Sequence, residues 1–403
     1  MTPHHSLRAQ HGGLTVDVNS GTYTVGTHYT IVKAGSLTGT FGSVAYNPLF
    51  ASYITPQTTY SGTDAQLTLT PSSGSGSGGS SGGSSGGSSG GNLGPAFTTA
   101  QGVTISDWGT QLGLLSIQQS MLNAQGGTAQ SILRVGQRPD PAVWVRYLDG
   151  SGASDGAHLD NQALLLGFGS EVRDGLVIGA AVNRGRDHTR TTVQRVKTTT
   201  TGVSAYGQYN RGAWFLDASL STGHLRMDST RHLDPTGLVA SGHARGDYVG
   251  ALAKAGYRFT HGRLFLTPYA LLGYQQTHRK GFDETGAGLL NLTYASQTSK
   301  LSIFSVGARV GSDMQIEDTL PLSPRIELGA MTYGGDTRQN QPVTLGTYNE
   351  VLHASGAPSV SGVVNAGVAL MSSRNWSAQL AYRGQFASHT HMNNADLKVV
   401  YRW

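Results

Sequence analysis

The sequence predicts an all-β fold, a transmembrane antiparallel β-barrel of about twelve strands with an α-helix threaded through the lumen. Three observations predict it. From Pro141 to Trp403, apolar and polar residues alternate in segments of about ten. One helix, over 104–125, is long enough to cross a membrane but too polar to face lipid. The links between strands alternate between long and short.

Composition narrows the choice. Of 403 residues, 37% are hydrophobic and only 13% charged, against roughly 45–50% and about 25% in an average soluble domain. No apolar run reaches the ~18 residues of a transmembrane helix. Val, Leu, Tyr, Phe and Trp recur in regularly spaced clusters, which argues against intrinsic disorder. The absence of cysteine excludes thiolate metal sites, disulfide frameworks and cysteine nucleophiles. A net charge of +5, spread without a basic run, excludes a nucleic-acid partner.

The elements follow in order. Residues 14–71 are rich in Thr, Val, Tyr and Gly, with alternating stretches such as Thr22–Val25 and Ala65–Leu69 that read as strands broken by turns. Residues 72–91 are only Ser and Gly, a flexible coil spanning roughly 25 Å. Gly79–Gly83 matches a G-x-S-x-G nucleophile elbow by composition alone, with no strand before it and no helix after. In the helix, Ile105, Trp108, Leu112, Leu115 and Leu122 recur at three- and four-residue steps or their multiples. Leu114, Ile117 and Met121 lie alongside, and Asp107 suits the first turn. At 1.5 Å per residue the segment is about 30 Å long. Its other residues are Gln, Ser, Thr, Asn and Gly, so it reads as a plug inside a polar bore. The expected domains are 1–71, 72–95 as linker, 96–130 around the helix, and 131–403 as barrel.

Strand faces separate cleanly. Trp214, Leu216, Ala218 and Leu220 oppose Asp217, Ser219 and Ser221; Trp376, Ala378, Leu380, Tyr382 and Phe386 oppose Ser377, Gln379, Arg383 and Gln385. The last strand sets Leu397, Val399, Tyr401 and Trp403 against Lys398 and Arg402. Similar strands start near Val143, Leu164, Leu176, Val203, Val249, Leu264, Leu301, Arg325 and Val363. Alternation assigns Arg146, Glu171, Asp217, Lys254, Arg258, Arg309, Glu327 and Arg383 to the lumen. Short links fall at Arg173–Gly175, Arg211–Gly212, Thr260–Gly262 and Ser372–Asn375, and longer ones at 149–160, 184–200, 223–246, 277–297, 334–360 and 387–393. Short turns on one side of the membrane and longer loops on the other are the habit of bacterial barrels.

The helix with its following strands resembles the autotransporter translocator of type V secretion. Pro268–Tyr274 followed by Phe282, and Leu301–Gly311 downstream, carry the resemblance. Leu397, Val399, Tyr401 and Trp403 are similar to the terminal signature read by the barrel-assembly machinery. Tyr29–Gly35, Leu37–Phe41 and Leu67–Leu69 look like the last rungs of a β-helical passenger, making 1–71 a β-helix-like remnant. The resemblance implies a monomeric anchor in the outer membrane of a Gram-negative bacterium, with its N-terminal region at the cell surface. Its partners would be outer-membrane lipid, the assembly machinery and its own passenger, which it exports and displays. Met1–Gln10 lacks the apolar core of a secretory signal, so the chain is expected to be the tail of a longer protein.

In some members of that family an asparagine in the helix cyclises and cuts the chain with the help of lumen acids. Asn123 would be that residue, with Glu171 or Glu327 beside it, although the familiar paired asparagines are absent. Arg245–Asp247 spells an RGD tripeptide at the end of an expected outer link, with Asp247 starting a strand, and His4, His5, His389 and His391 read as solvated histidines rather than a metal site. No catalytic constellation, cofactor or metal is expected. The alternatives are a porin-like channel, or an adhesin working through its loops; a porin has no helix filling its bore.

Overall fold

The computed structural model describes residues 13–16, 25–46, 54–71, 108–122 and 141–403, apart from 235, 313, 317–319, 355 and 372–374. The Ser/Gly tract, Asp107, Asn123, His4, His5 and residues 22–24 lie outside the described residues. Five short strands come first: β1 (Gly13–Val16), β2 (His28–Lys33), β3 (Ser43–Tyr46), β4 (Ile54–Tyr60) and β5 (Asp64–Pro71). β1 and β3 pair in parallel, the arrangement of a β-helical coil. The other three form an antiparallel sheet in the order β2-β5-β4. Helix α1 (Trp108–Leu122) follows.

The remaining strands are β6 (Ala142–Ser154), β7 (Ala157–Arg173), β8 (Leu176–Arg190), β9 (Gln194–Arg211), β10 (Trp214–Leu233), β11 (Leu238–Tyr257), β12 (Phe259–His261), β13 (Leu264–Arg279), β14 (Phe282–Thr285), β15 (Thr293–Tyr294), β16 (Gln297–Ser312), β17 (Met314–Ile316), β18 (Leu320–Gly335), β19 (Gln339–Leu345), β20 (Tyr348–Ala354), β21 (Val360–Met371), β22 (Trp376–Phe386) and β23 (Thr390–Arg402). Twelve of them, β6 to β11, β13, β16, β18 and β21 to β23, form an antiparallel barrel that closes where β23 pairs with β6. Closure matters because each unpaired backbone group would cost several kcal/mol in hydrocarbon.

The sequence pattern places the side chains. On β10, Trp214 and Leu220 are 63% and 64% exposed on the outer wall, while Asp217, Ser219 and Ser221 are buried inside. An aromatic group marks the short-turn rim: Trp214 stands edge-on to Tyr257, with centroids 5.0 Å apart, and the Tyr401 ring lies 4.8 Å from that of Trp376 and 6.0 Å from that of Trp403. Amphipathic rings are favoured where hydrocarbon meets water. Glycines with positive φ make the tight turns there, Gly175 at φ 74° and Gly212 at φ 60° among them.

At the other rim the structure corrects the expected loops. Residues 149–160, 184–200 and 223–246 are largely strand, with short connections at Asp155–Gly156, at 191–193 and between Leu233 and Leu238. β10 and β11 are each 20 residues long, about twice what a tilted strand needs to span a bilayer. The outer wall need not be apolar beyond the lipid, so the period-two signal stops there while backbone pairing continues. The RGD tripeptide is therefore inside β11, with Asp247 bonded to His224 of β10 at 2.5 Å, rather than at the end of a link.

Candidate functional site

A twelve-strand barrel is wider than the eight-strand kind that side chains alone can fill and narrower than a sixteen-strand open channel. Here the bore is occupied by α1, in which every residue but Gln119 is buried. The helix spans about 22 Å at 1.5 Å per residue, and the flanks of the expected 104–125 segment lie outside the described residues. It carries no single apolar stripe. Thr110, Gln111, Ser116, Gln118 and Ser120 are as buried as Leu112 and Leu115, because the helix is enclosed on all sides.

Its contacts fix its direction. Trp108 stands edge-on to Tyr333 at 5.3 Å, near the long-strand rim, while Met121 joins the cluster of Trp144 and Val400 toward the short-turn rim. Small residues allow the close fit. A Cβ at Gly113 would collide with the Asp187 carboxylate, and one at Gly250 with the Gln118 side chain.

The wall grips the helix through its carbonyl oxygens. Gln275 Nε2 donates to the Gln111 carbonyl at 3.1 Å, Arg383 to Ser116 at 3.4 Å, Arg146 to Ser120, and Gln208 Nε2 to Leu122 at 3.1 Å. Three of these donors reach the second half of α1, and two are guanidinium groups. Cations there complement the negative end of the helix dipole. Thr110 and Gln111 add side-chain bonds to Thr198 at 3.0 Å and Thr277 at 3.4 Å.

Two ion clusters support these donors. Arg146 makes a bidentate pair with Asp396 of β23, its Nε lying 2.7 and 2.8 Å from the two carboxylate oxygens. Glu327 collects Lys254 at 2.8 Å, Arg309 at 2.9 Å and the Asn365 amide at 2.9 Å, and Lys254 also stands 3.7 Å over the Tyr269 ring. Asp217 faces Lys254 across the β10–β11 register. A cavity beside the last turn of α1 is lined by Gln119, Leu122, Lys254, Glu327 and Arg383.

Two of the sequence-assigned residues lie elsewhere. Glu171 accepts the Gly175 N–H at 2.6 Å and caps the β7–β8 turn. It sits on a strand that does not neighbour β18, so the structure does not bring it to Glu327. Arg258 is at the short-turn rim, its guanidinium 4.0 Å over the Phe265 ring. Among the described residues no group of three or more acids and histidines could hold a metal ion. His391 lies within β23 and His389 in the turn before it. Sequence reasoning missed Gln208, Gln275 and Asp396, although each shares strand parity with a residue it did assign or with buried neighbours.

The long-strand rim carries a second core. Phe282 and Tyr294 stack at 4.5 Å within a cluster that includes Leu290, Val343, Leu345 and Leu352. The cluster also holds Val25, Ile54 and Leu69 from the N-terminal region. Thr347 N–H, at the β19–β20 turn, donates to the Val25 carbonyl at 3.1 Å. A fully buried pair, Arg231 with Glu284, braces this cap, and Tyr294 Oη donates to Glu284 at 3.2 Å. Burial and the neighbouring Glu284 carboxylate push the Tyr294 hydroxyl well above the usual phenol range.

Residues 143–383 match the family described as Autotransporter beta-domain. No curated protein matches the chain. Among solved structures the fold is similar to the translocator domain of autotransporter NalP from Neisseria meningitidis, with TM-score 0.59 and 16% identity, over 73% of this chain and 98% of that one. It is also similar to the beta domain of the Bordetella autotransporter BrkA, with TM-score 0.54 and 14% identity, over 66% of this chain and 100% of that one. With the family match spanning more than half of its length, the chain belongs to the autotransporter β-domain family and is an outer-membrane translocator of a Gram-negative bacterium.

Proposed function

We propose that this barrel exports its own N-terminal segment through the lumen and then retains α1 there as the tether that displays it. The observation that carries this reading is the path of the chain. The N-terminal strands pack on the long-strand rim, α1 runs down the bore from that rim, and β6 begins the wall. The wall donors that bond α1 carbonyls are general: a backbone carbonyl is offered by any passing sequence. The same donors can therefore serve successive stretches of a chain in transit.

Residues 1–71 would then be the end of the passenger, 72–95 a flexible connection, and 96–130 the segment left in the pore. The outward row Leu397, Val399, Tyr401 and Trp403 would be the strand face presented to the barrel-assembly machinery. A wall whose every barrel strand has two partners needs no second copy to complete it, which supports a monomer. Planar-bilayer conductance tests the central point. The intact chain is expected to be nearly closed, and deletion of 96–122 to raise conductance at least about tenfold. Equal conductance of the two would instead support a porin.

One alternative has an observation in its favour. Leu122, the residue before Asn123, lines the cavity that holds Glu327 and Lys254, so self-cleavage at Asn123 would occur beside an acid and its paired cation. Intact mass of protein from cells reads this directly. A single uncut species removes the cleavage reading and leaves the tether reading untouched.

A further inference from the structure

We infer that the outer wall of β8–β11, just above the lipid belt, binds the phosphorylated glycolipid headgroups of the outer leaflet. Each of these strands changes character where its apolar row ends. On β8, Val182 is followed outward by Arg184 and Arg186; on β9, Val203 is followed by two threonines and then Lys197 and Arg195. On β10, Leu220 gives way to Thr222, His224 and Arg226, and on β11 Val249 gives way to Asp247 and Arg245. Arg184, Arg186, Arg195, Lys197, Arg226 and Arg245 are all exposed.

The register makes them one patch. Arg226 directly opposes Arg245, and Arg186 and Arg226 both pair with Thr199 of β9, one from each side. Like charges facing each other across a strand pair are destabilising unless an anion lies between them. The nearby carboxylates are engaged elsewhere: Asp228 with His243 at 2.8 Å, Asp247 with His224 at 2.5 Å, and Asp160 with Arg190 at 3.6 Å. None of the six cations has a carboxylate within 4.0 Å among the described residues. The patch is denser than the rest of this wall: the outward rows of β7 from Ala157 to Val172, of β18 from Ile326 to Gly335 and of β23 from His391 to Tyr401 carry no exposed Lys or Arg, and that of β16 carries only Lys300.

Position and charge together choose the occupant. A lipid whose acyl chains lie against Val182, Val203, Leu220 and Val249 would hold its headgroup at this height. Guanidinium groups bind phosphate oxygens in forked pairs. The inference rests on the outer-membrane orientation, in which this rim faces the cell exterior.

Native mass spectrometry of the full chain in neutral detergent tests it, with bisphosphorylated lipid A, the same lipid dephosphorylated, and inorganic phosphate as probes. The phosphorylated lipid is expected to be retained at least tenfold more tightly than its dephosphorylated form. In R186Q/R226Q/R245Q that preference is expected to disappear, a single cation beside an anionic headgroup being worth roughly fivefold. R211Q/R263Q, altered at the short-turn rim, is expected to keep it. Heat-modifiable gel migration checks that each variant is a folded barrel, so loss of fold reads differently from loss of lipid. Equal retention of both lipids, undiminished preference in the triple variant, or displacement of the lipid by millimolar phosphate would each overturn the inference.

Discussion

Arg146 illustrates why polar residues inside this barrel carry structural weight. Its guanidinium is 1% exposed, held by Asp396 and donating to the helix at Ser120. Removing one partner strands a buried charge, at about 3–5 kcal/mol. Arg146→Gln is therefore expected to lower the unfolding free energy in detergent by about that much. R146Q/D396N, which removes both charges, is expected to recover most of the loss, and a double-mutant cycle over the wild type, R146Q, D396N and R146Q/D396N measures it. The first of these residues was legible from alternation. Asp396 was not singled out, because a lone Asp on a polar strand face carries no sign that its partner is an arginine on β6. Glu171 shows the limit of parity: at a strand end, a side chain on the inward row can fold over a turn instead of entering the bore.

At the scale of elements, α1 is held by shape as much as by bonding. Gly113→Leu would drive a side chain into Asp187, so the helix is expected to lose its seat and conductance to rise toward that of the deletion. Gln119→Ala, at the one α1 residue that is not buried, is expected to leave conductance unchanged. The β19–β20 hairpin works outside the membrane. Its Leu345 is fully buried beside Val25 and Leu69 in the rim core. Leu345→Asp would bury a charge there, and limited proteolysis of intact cells is expected to cut the N-terminal strands at least about tenfold faster while the barrel stays resistant. The helix was visible in its three- and four-residue spacing, yet its all-round burial was not, since spacing reports a face and a bore has none. The hairpin was hidden inside an expected link because its strands, Gln339–Leu345 and Tyr348–Ala354, are short and rich in polar residues.

For the whole molecule, the outward apolar band and its aromatic rim decide where the barrel lodges. Trp403 is 53% exposed and stacks on Tyr401 with ring centroids 6.0 Å apart. Trp403→Ala is expected to reduce the assembled fraction in the outer membrane severalfold, read as the heat-modifiable band on gels of membrane fractions. The fold class was legible because lipid imposes one rule on every strand for the whole circumference, and twelve weak periodicities add to a strong one. The cap was not legible, because above the lipid no such rule operates and each strand answers only to local neighbours.

One further consequence follows from where Arg146 and Asp396 stand. They belong to the first and last staves of the cylinder, so their bond straddles the joint at which the ribbon meets itself, and the same guanidinium clasps the rod within. A rod cannot enter sideways once the joint is shut. The segment reaches its seat along the bore or before the joint closes, and the bond that locks the joint is also the one that registers its cargo.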